Sequence, residues 1–168
     1  MNTRYAVIDS ALGELTLVAD GSALTGLYFP HHWYRPAADT LGPTADADDL
    51  FTTAQTQITE YLTGERTEFD LPIALRGDDL QRRVWRRLTT IPYGDTVTYG
   101  ELAAELADGS TAQEVGAAVG RNPLSIIVPC HRVVGKSGKL TGYAGGLERK
   151  QFLLDLEEPA EVREARLF

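Results

Sequence analysis

Hydrophobic positions along this chain change period between its first and second halves. Positions 5–9 and 14–19 alternate in short bursts, and Asp20-Gly21 then leads into a strand-like stretch at 24–29. Short alternating runs separated by turn formers predict a small antiparallel sheet. Positions 30–43 have no period and collect turn formers, which reads as a loop, with Trp33 and Tyr34 expected to pack it onto the sheet. Leu50, Ala54, Ile58, Tyr61 and Leu62 then recur at helical spacing, a stripe that can cover one sheet face. A further strand is expected over 69–75, interrupted at Pro72, with Arg76-Gly77-Asp78 as a linker.

From position 79 onward the period is helical. Leu80, Val84, Trp85 and Leu88 form the apolar stripe of one helix, and Arg82, Arg83, Arg86 and Arg87 occupy its other faces until Ile91-Pro92-Tyr93-Gly94 ends it. Thr98 and Glu101 fit a capping box ahead of a helix through Leu102 and Leu106 that stops at Gly109. A second helix over 111–121 follows almost at once, capped by Ser110 or Thr111, rich in small residues and closed by Asn122-Pro123. Two short helices around a tight glycine-containing turn make a helix-turn-helix candidate, a motif that ordinary packing units share. A last helix over 147–157 turns Phe152, Leu153 and Leu156 inward, and Glu157 at its end is of the wrong sign for a helix C-terminus. The fold class expected is α+β, with an α/β domain at 1–77, a mainly helical domain at 78–158 and a tail at 159–168.

Composition narrows the class. The chain has 168 residues, 43% of them hydrophobic, enough for a buried core, and its net charge is −8. That charge is unevenly placed, with 4 Lys/Arg against 13 Asp/Glu in residues 1–79 and 10 against 8 in residues 80–157. Nucleic-acid binding is therefore permitted only in the second half. One cysteine excludes an internal disulfide and fits a reducing compartment; the N-terminus lacks a long apolar stretch, and no apolar run reaches the length of a bilayer span. These features predict a cytoplasmic protein with no membrane association.

The lone cysteine stands in Val128-Pro129-Cys130-His131-Arg132-Val133. A free thiol is mostly protonated at neutral pH, so a nucleophilic role needs a base or a stabilising field. Without one, Cys130 reads as a buried structural residue. The downstream run 138–146 is rich in glycine but lacks the Gly-Lys-Ser/Thr ending of a phosphate loop, which excludes that mode of nucleotide binding. Its glycines would let backbone NH groups approach a planar ligand, or simply form a flexible turn.

Tyr99, the small-residue helix, Asn122-Pro123, the Pro-Cys-His-Arg motif, Thr141-Gly142-Tyr143-Ala144-Gly145-Gly146 and Glu157 together resemble, in order and spacing, the O6-alkylguanine-DNA alkyltransferases. The resemblance covers about residues 78 to 157, and the first half is similar to that family's small α/β domain. It implies direct, single-use transfer of an alkyl group from guanine O6 in duplex DNA to Cys130. His131 would act through a water as base, Glu157 would orient it, and Tyr99 would protonate guanine N3. Base flipping from the minor groove would use the helix 111–121, with Thr111, Ala112, Gln113, Gly116, Val119 and Arg121 at the DNA and Val119 beside the extruded base. Asn122 would be the hinge. Ser125, at the pocket rim, and Val133, Tyr143, Ala144 and Gly145 would shape the base pocket, through backbone carbonyls of Cys130 and Val133 and the amide of Ala144. No cofactor is implied, and the protein is expected to act as a monomer.

One residue departs from the family pattern. Gln113 stands where the family carries the arginine that fills the space left by the flipped base, and either Ser110-x-x-Gln113 or Thr111-x-x-Glu114 can form a capping box. Weaker duplex binding or less efficient base extrusion is expected. The departure leaves open a lesion-recognising protein of the same fold that transfers poorly or not at all. A cysteine hydrolase would need an oxyanion hole that nothing here specifies, and a major-groove regulator would need base-reading side chains that the helix lacks. His31 and His32, without cysteine partners, make a poor tetrahedral site, so no structural metal is expected.

Overall fold

The computed structural model describes residues 3–31, 35–45 and 47–159. Three strands, β1 (Thr3–Ser10), β2 (Gly13–Asp20) and β3 (Ala23–Tyr28), form an antiparallel sheet in sequence order. Both hairpins turn through two residues; Gly13 (φ 98°) flanks the first turn and Gly21 (φ 62°) lies in the second, both left-handed, which accounts for Asp20-Gly21 as a visible signal. Helix α1 (Asp49–Leu62) is capped by Asp48, whose carboxylate accepts the Leu50 NH, and buries Phe51, Ala54, Gln57, Ile58, Tyr61 and Leu62. His31 is exposed. His32, Trp33 and Tyr34 lie outside the described residues, so the paired-histidine site and the packing expected of Trp33 and Tyr34 lie there too. Among the described residues no cluster of His, Cys, Asp and Glu suits a metal ion.

The strand expected over 69–75 does not form. Pro72 has no NH to give, and only a single parallel bridge joins Ile73 to Leu24 of β3. Pro72 O accepts the Leu24 NH at 2.9 Å, and the Ala74 NH reaches Leu24 O at 2.9 Å. A second bridge on the same edge pairs Leu27 with Leu124, where the Leu27 NH donates to Pro123 O at 2.8 Å. The edge of the first sheet is thereby tied to the segment leading to Cys130.

Helix α2 (Asp79–Leu88) has a full capping box between Asp78 and Gln81, so the expected linker ends in a helix cap. Its basic face is engaged by acids: Arg82 pairs with Asp79, Arg83 with Asp108 and Arg87 with Glu105. The last two pairs tie α2 to the helix-turn-helix, α3 (Tyr99–Leu106) and α4 (Ala112–Gly120). Trp85 Nε1 donates to Ala118 O at 2.8 Å, locking α2 onto α4.

Helix α3 ends at Leu106, before Gly109, because Ala107 adopts a left-handed C-cap at φ 51°. Glu101 reaches the Thr98 hydroxyl, where a full box would have it bond the backbone NH. Two short strands, β4 (Val97–Thr98) and β5 (Val133–Val134), pair in parallel and bring the cysteine segment beside the start of α3. Helix α5 (Leu147–Glu157) closes the domain. It corrects one expectation: Phe152 is exposed, and the inward positions are Lys150, Leu153 and Glu157, with Leu156 partly buried. One continuous core draws side chains from the sheet, α1 and every helix of the second half.

Candidate active site

The backbone between Asn122 and Arg132 is bound tightly to itself. The Asn122 amide donates to Val128 O at 2.8 Å, and its carbonyl accepts the Leu124 NH at 3.0 Å, so one buried side chain staples both ends of the loop. Inside it, Ile126 is left-handed at φ 74°, a conformation that costs a β-branched residue on the order of 1–3 kcal/mol. The chain then makes one 3-10 turn, Cys130–Arg132, all three residues of which are buried. Cys130 lines a cavity that His131 and Arg132 do not line.

That cavity has a volume of about 400 Å³, within the range of small-ligand clefts. Its walls come from three places: Tyr99 of α3; Ala112, Gln113, Gly116, Val119 and Gly120 of α4; and the 141–144 stretch, with Cys130 among the lining residues. Small residues on α4 let the cleft open, and a Cβ on Gly116 would lie 3.5 Å from the Tyr99 ring. The Thr141 hydroxyl donates to Tyr99 Oη at 3.2 Å, which leaves the tyrosine proton free to be given elsewhere. Burial, with the nearby Cys130, raises the Tyr99 pKa despite that bond, so the phenol stays protonated.

Behind the cysteine lies a buried ionic cluster. His131 Nε2 is 2.8 Å from Glu157 Oε2; Arg132 grips the same carboxylate through Nε at 2.7 Å and through a terminal nitrogen at 2.8 Å. Arg132 also donates to Ile91 O at 2.6 Å, and the Tyr61 hydroxyl of α1 donates to Glu157 Oε2. Glu157 tolerates its place at a helix C-terminus because these partners outweigh the helix dipole. Burial opposes its charge, yet the bonds from His131 and Arg132 hold its pKa at about 2.

An ionised Glu157 makes His131 Nε2 the protonated nitrogen and leaves Nδ1 an acceptor. That Nδ1 is fully buried with no protein hydrogen-bond partner. Burial, aided by Arg132 and Lys150, keeps the His131 pKa below its ordinary value despite Glu157. The Cys130 thiol moves the other way: burial raises its pKa, while Asn122, Lys150 and Ser125 pull against that rise. At neutral pH the pair is therefore a thiol beside a neutral imidazole, which is a nucleophile that must be deprotonated and a base able to do it.

The expected site residues separate into distinct places. Cys130, Tyr99, Tyr143, Ala144, Ala112, Gln113, Gly116 and Val119 line the cleft. Asn122 and Val133 are buried behind it, and Ser125, fully buried, is not at the rim. The apolar run around Ser125 turns inward under the Asn122 staple, which carries its hydroxyl with it. Gly145 lies outside the cleft because it packs flat on Phe29, where any Cβ would collide with the ring. Phe29 in turn meets the Tyr143 ring edge-on at 6.0 Å, so Gly145 acts on the cleft through that support. Thr111 caps α4 and forms its box with Glu114, so the alternative Ser110–Gln113 box does not form and Gln113 remains exposed at the cleft wall. Arg121 is the exposed C-cap of α4.

Three participants escaped the sequence reading. Lys150 is fully buried, its ammonium donating to Thr141 O at 3.3 Å and Gly142 O at 3.4 Å, and burial lowers its pKa to about 8. A lysine three residues from Leu153 on the inward stripe was the available signal. The sequence pattern makes Tyr61 a core residue and Arg132 a motif member without a role.

Residues 3–75 match the 6-O-methylguanine DNA methyltransferase, ribonuclease-like domain, and residues 79–159 match the 6-O-methylguanine DNA methyltransferase, DNA binding domain. A methylated-DNA–protein-cysteine methyltransferase of Mycobacterium bovis is 48% identical over 164 residues, covering 98% of both chains. One of the same name from Methanosarcina acetivorans is 40% identical over 153 residues, covering 91% of this chain and 97% of its own. The crystal structure of Mycobacterium tuberculosis OGT in complex with DNA superposes with a TM-score of 0.84 at 48% identity, covering 95% of this chain and 97% of that one. With both halves matched and relatives this similar along nearly their whole length, the chain belongs to the 6-O-methylguanine DNA methyltransferase family, the methylated-DNA–protein-cysteine methyltransferases.

Proposed function

We propose that this protein repairs duplex DNA by taking an alkyl group from guanine O6 onto Cys130 Sγ, once per molecule. The observation that carries the reading is a cysteine opening on a base-sized cleft with a buried His-Glu-Arg cluster behind it. In the transfer, the thiol proton passes through a water to His131 Nδ1, and sulfur attacks the alkyl carbon. The S–C bond forms as the C–O6 bond breaks, and the electron pair of that bond enters the guanine ring. Tyr99 gives its proton to N3 as guanine departs, and the proton held on His131 returns through solvent to the Tyr99 phenolate, so the net transfer is one proton from the thiol to guanine. The alkyl donor is the DNA itself, and no cofactor takes part.

Duplex DNA is the partner, and the target base has to leave the helix to reach the cleft. Helix α4 would enter the minor groove, its small residues allowing close approach and Val119 facing the extruded base. Tyr143, supported by Phe29, would form a wall, and the Ala144 amide would face O6. Asn122, Ser125 and Val133 shape the loop behind the cysteine. We assign the action to a monomer. We assign residues 1–77 to a supporting domain, 78–158 to the transfer domain and the remainder to a tail. No described helix is long and apolar enough to cross a membrane, and a lone unpaired cysteine suits a cytoplasmic site of action.

Single use distinguishes this reading from hydrolysis. With a tenfold excess of duplex carrying O6-methylguanine, repaired guanine should plateau at one equivalent per protein. Continued product formation would contradict the proposal, and so would lesion binding without any product.

A further inference from the structure

We propose that Tyr61, a residue of helix α1 in the first half of the chain, is a positioning residue of the transfer reaction. Its hydroxyl joins the carboxylate oxygen of Glu157 that orients His131. The inference rests on the alkyl-transfer reading and extends it, because it makes the N-terminal domain a contributor to the chemistry.

The geometry is specific. Tyr61 is 1% exposed, its hydroxyl donates to Glu157 Oε2, and Tyr61 Oη itself lies 3.4 Å from His131 Nε2. Glu157 Oε2 thus receives Tyr61, His131 and one arm of Arg132, while Oε1 receives the other arm. The ring is held on two sides, by Phe69 at 5.2 Å and edge-on by Tyr93 at 6.2 Å, so the hydroxyl cannot swing away. Tyr93 also carries the Arg132 guanidinium over its face at 5.7 Å and donates to Leu156 O at 3.2 Å, near the end of α5. A core tyrosine needs one acceptor for its proton. This one bonds the single carboxylate on which the histidine depends.

The consequence for the reaction follows from competition at one oxygen. Each donor on Oε2 lowers the attraction that remains for a proton on His131. Tyr61 therefore helps keep the imidazole neutral and able to accept the thiol proton. Glu157 and Lys150 from α5 and Arg132 from the 3-10 turn act directly on the imidazole, Tyr61 from α1 adjoins it, and Tyr93 from the segment after α2 and Tyr143 from the glycine-rich stretch reach the cluster through Tyr61 and Glu157, with Cys130 beside Tyr143. Of these, Tyr61 is the neutral donor bonded to Glu157 Oε2, and its loss leaves every formal charge in place. Removing its oxygen makes Glu157 a stronger acceptor and moves His131 protonation to higher pH.

Two variants test this with opposite signs. Tyr61→Phe should shift the acid limb of the single-turnover transfer rate to higher pH, slowing transfer roughly threefold to tenfold at pH 6 and converging on the parent above the limb. A fluorotyrosine at position 61, a stronger donor of the same shape, should shift the limb to lower pH. Reaction of Cys130 with iodoacetamide, followed by intact mass, gives the same profile without DNA, since the chain has one cysteine. Ring titration of His131 by NMR supplies the pKa directly. Equal slowing at every pH, or a phenylalanine profile superposing on the parent's, would overturn the assignment. Were Tyr61→Phe to fail to fold, the fluorotyrosine protein alone decides, because an unmoved limb there overturns it too. A parent that alkylates normally with iodoacetamide but takes no methyl group from DNA would instead sink the transfer reading.

Discussion

A thiol whose pKa is raised by burial and a histidine whose pKa is lowered by it form a pair that is neutral at rest, an acid and a base poised for proton transfer. Lys150 sets part of this balance, since its charge is one of the influences that hold the Cys130 pKa down. Replacing it by Met removes that charge and leaves the Thr141 and Gly142 carbonyls without their donor. The thiol should then titrate at higher pH, and alkylation of Cys130 at pH 7 should slow by about threefold to tenfold. An unchanged rate of iodoacetamide capture would show that the ammonium serves only the loop. Tyr99 is the second residue whose role can be isolated. Tyr99→Phe keeps the ring and loses the proton, so transfer from DNA should fall by roughly 10²–10⁴-fold with lesion binding retained. A fall confined to binding would make it a wall and nothing more.

At the scale of elements, the proposal gives α4 the work on the duplex, and Gln113 is the residue whose contribution can be isolated there. The box between Thr111 and Glu114 leaves the Gln113 side chain exposed at the cleft wall, where an arginine would also reach. Gln113→Arg should raise the repair rate at limiting DNA by about 3- to 10-fold, the worth of roughly one charge-assisted hydrogen bond in a wet interface. No gain would show that glutamine already suffices. The helices were legible because their apolar stripes and caps are local features, and Asp20-Gly21 marked its hairpin for the same reason. Segment 69–75 misled because its apolar residues pack through a single bridge, without a ladder to join. Helix α5 misled in a more instructive way: Phe152 looked inward by type, while Lys150 and Glu157 are inward by partner. Hydrophobicity cannot reveal a buried ion whose counter-charge arrives from elsewhere in the chain. The Cys130 site was legible through its motif, but Tyr61 was not, because 96 residues separate it from the carboxylate it bonds.

Across the whole molecule, one core spans both halves, and Glu157 sits where they meet. A carboxyl held at about 2 in the folded protein and near 4.5 when unfolded stabilises the fold fully above pH 4.5, and that contribution drains away as pH falls toward 2. Glu157→Gln should flatten this part of the acid-unfolding curve. Leaving Arg132 uncompensated should also cost about 3–5 kcal/mol at neutral pH, read by denaturant unfolding. With the core shared, the parent should unfold in a single transition by circular dichroism and tryptophan fluorescence alike. All of these effects converge on one sulfur atom. The most direct measurement is intact-mass and peptide-mass analysis after incubation with a duplex carrying O6-methylguanine, using Cys130→Ser as control. The account predicts a single added methyl group located on Cys130 and none on the serine variant; an unchanged mass in the parent, or a methyl group on any other residue, would contradict it.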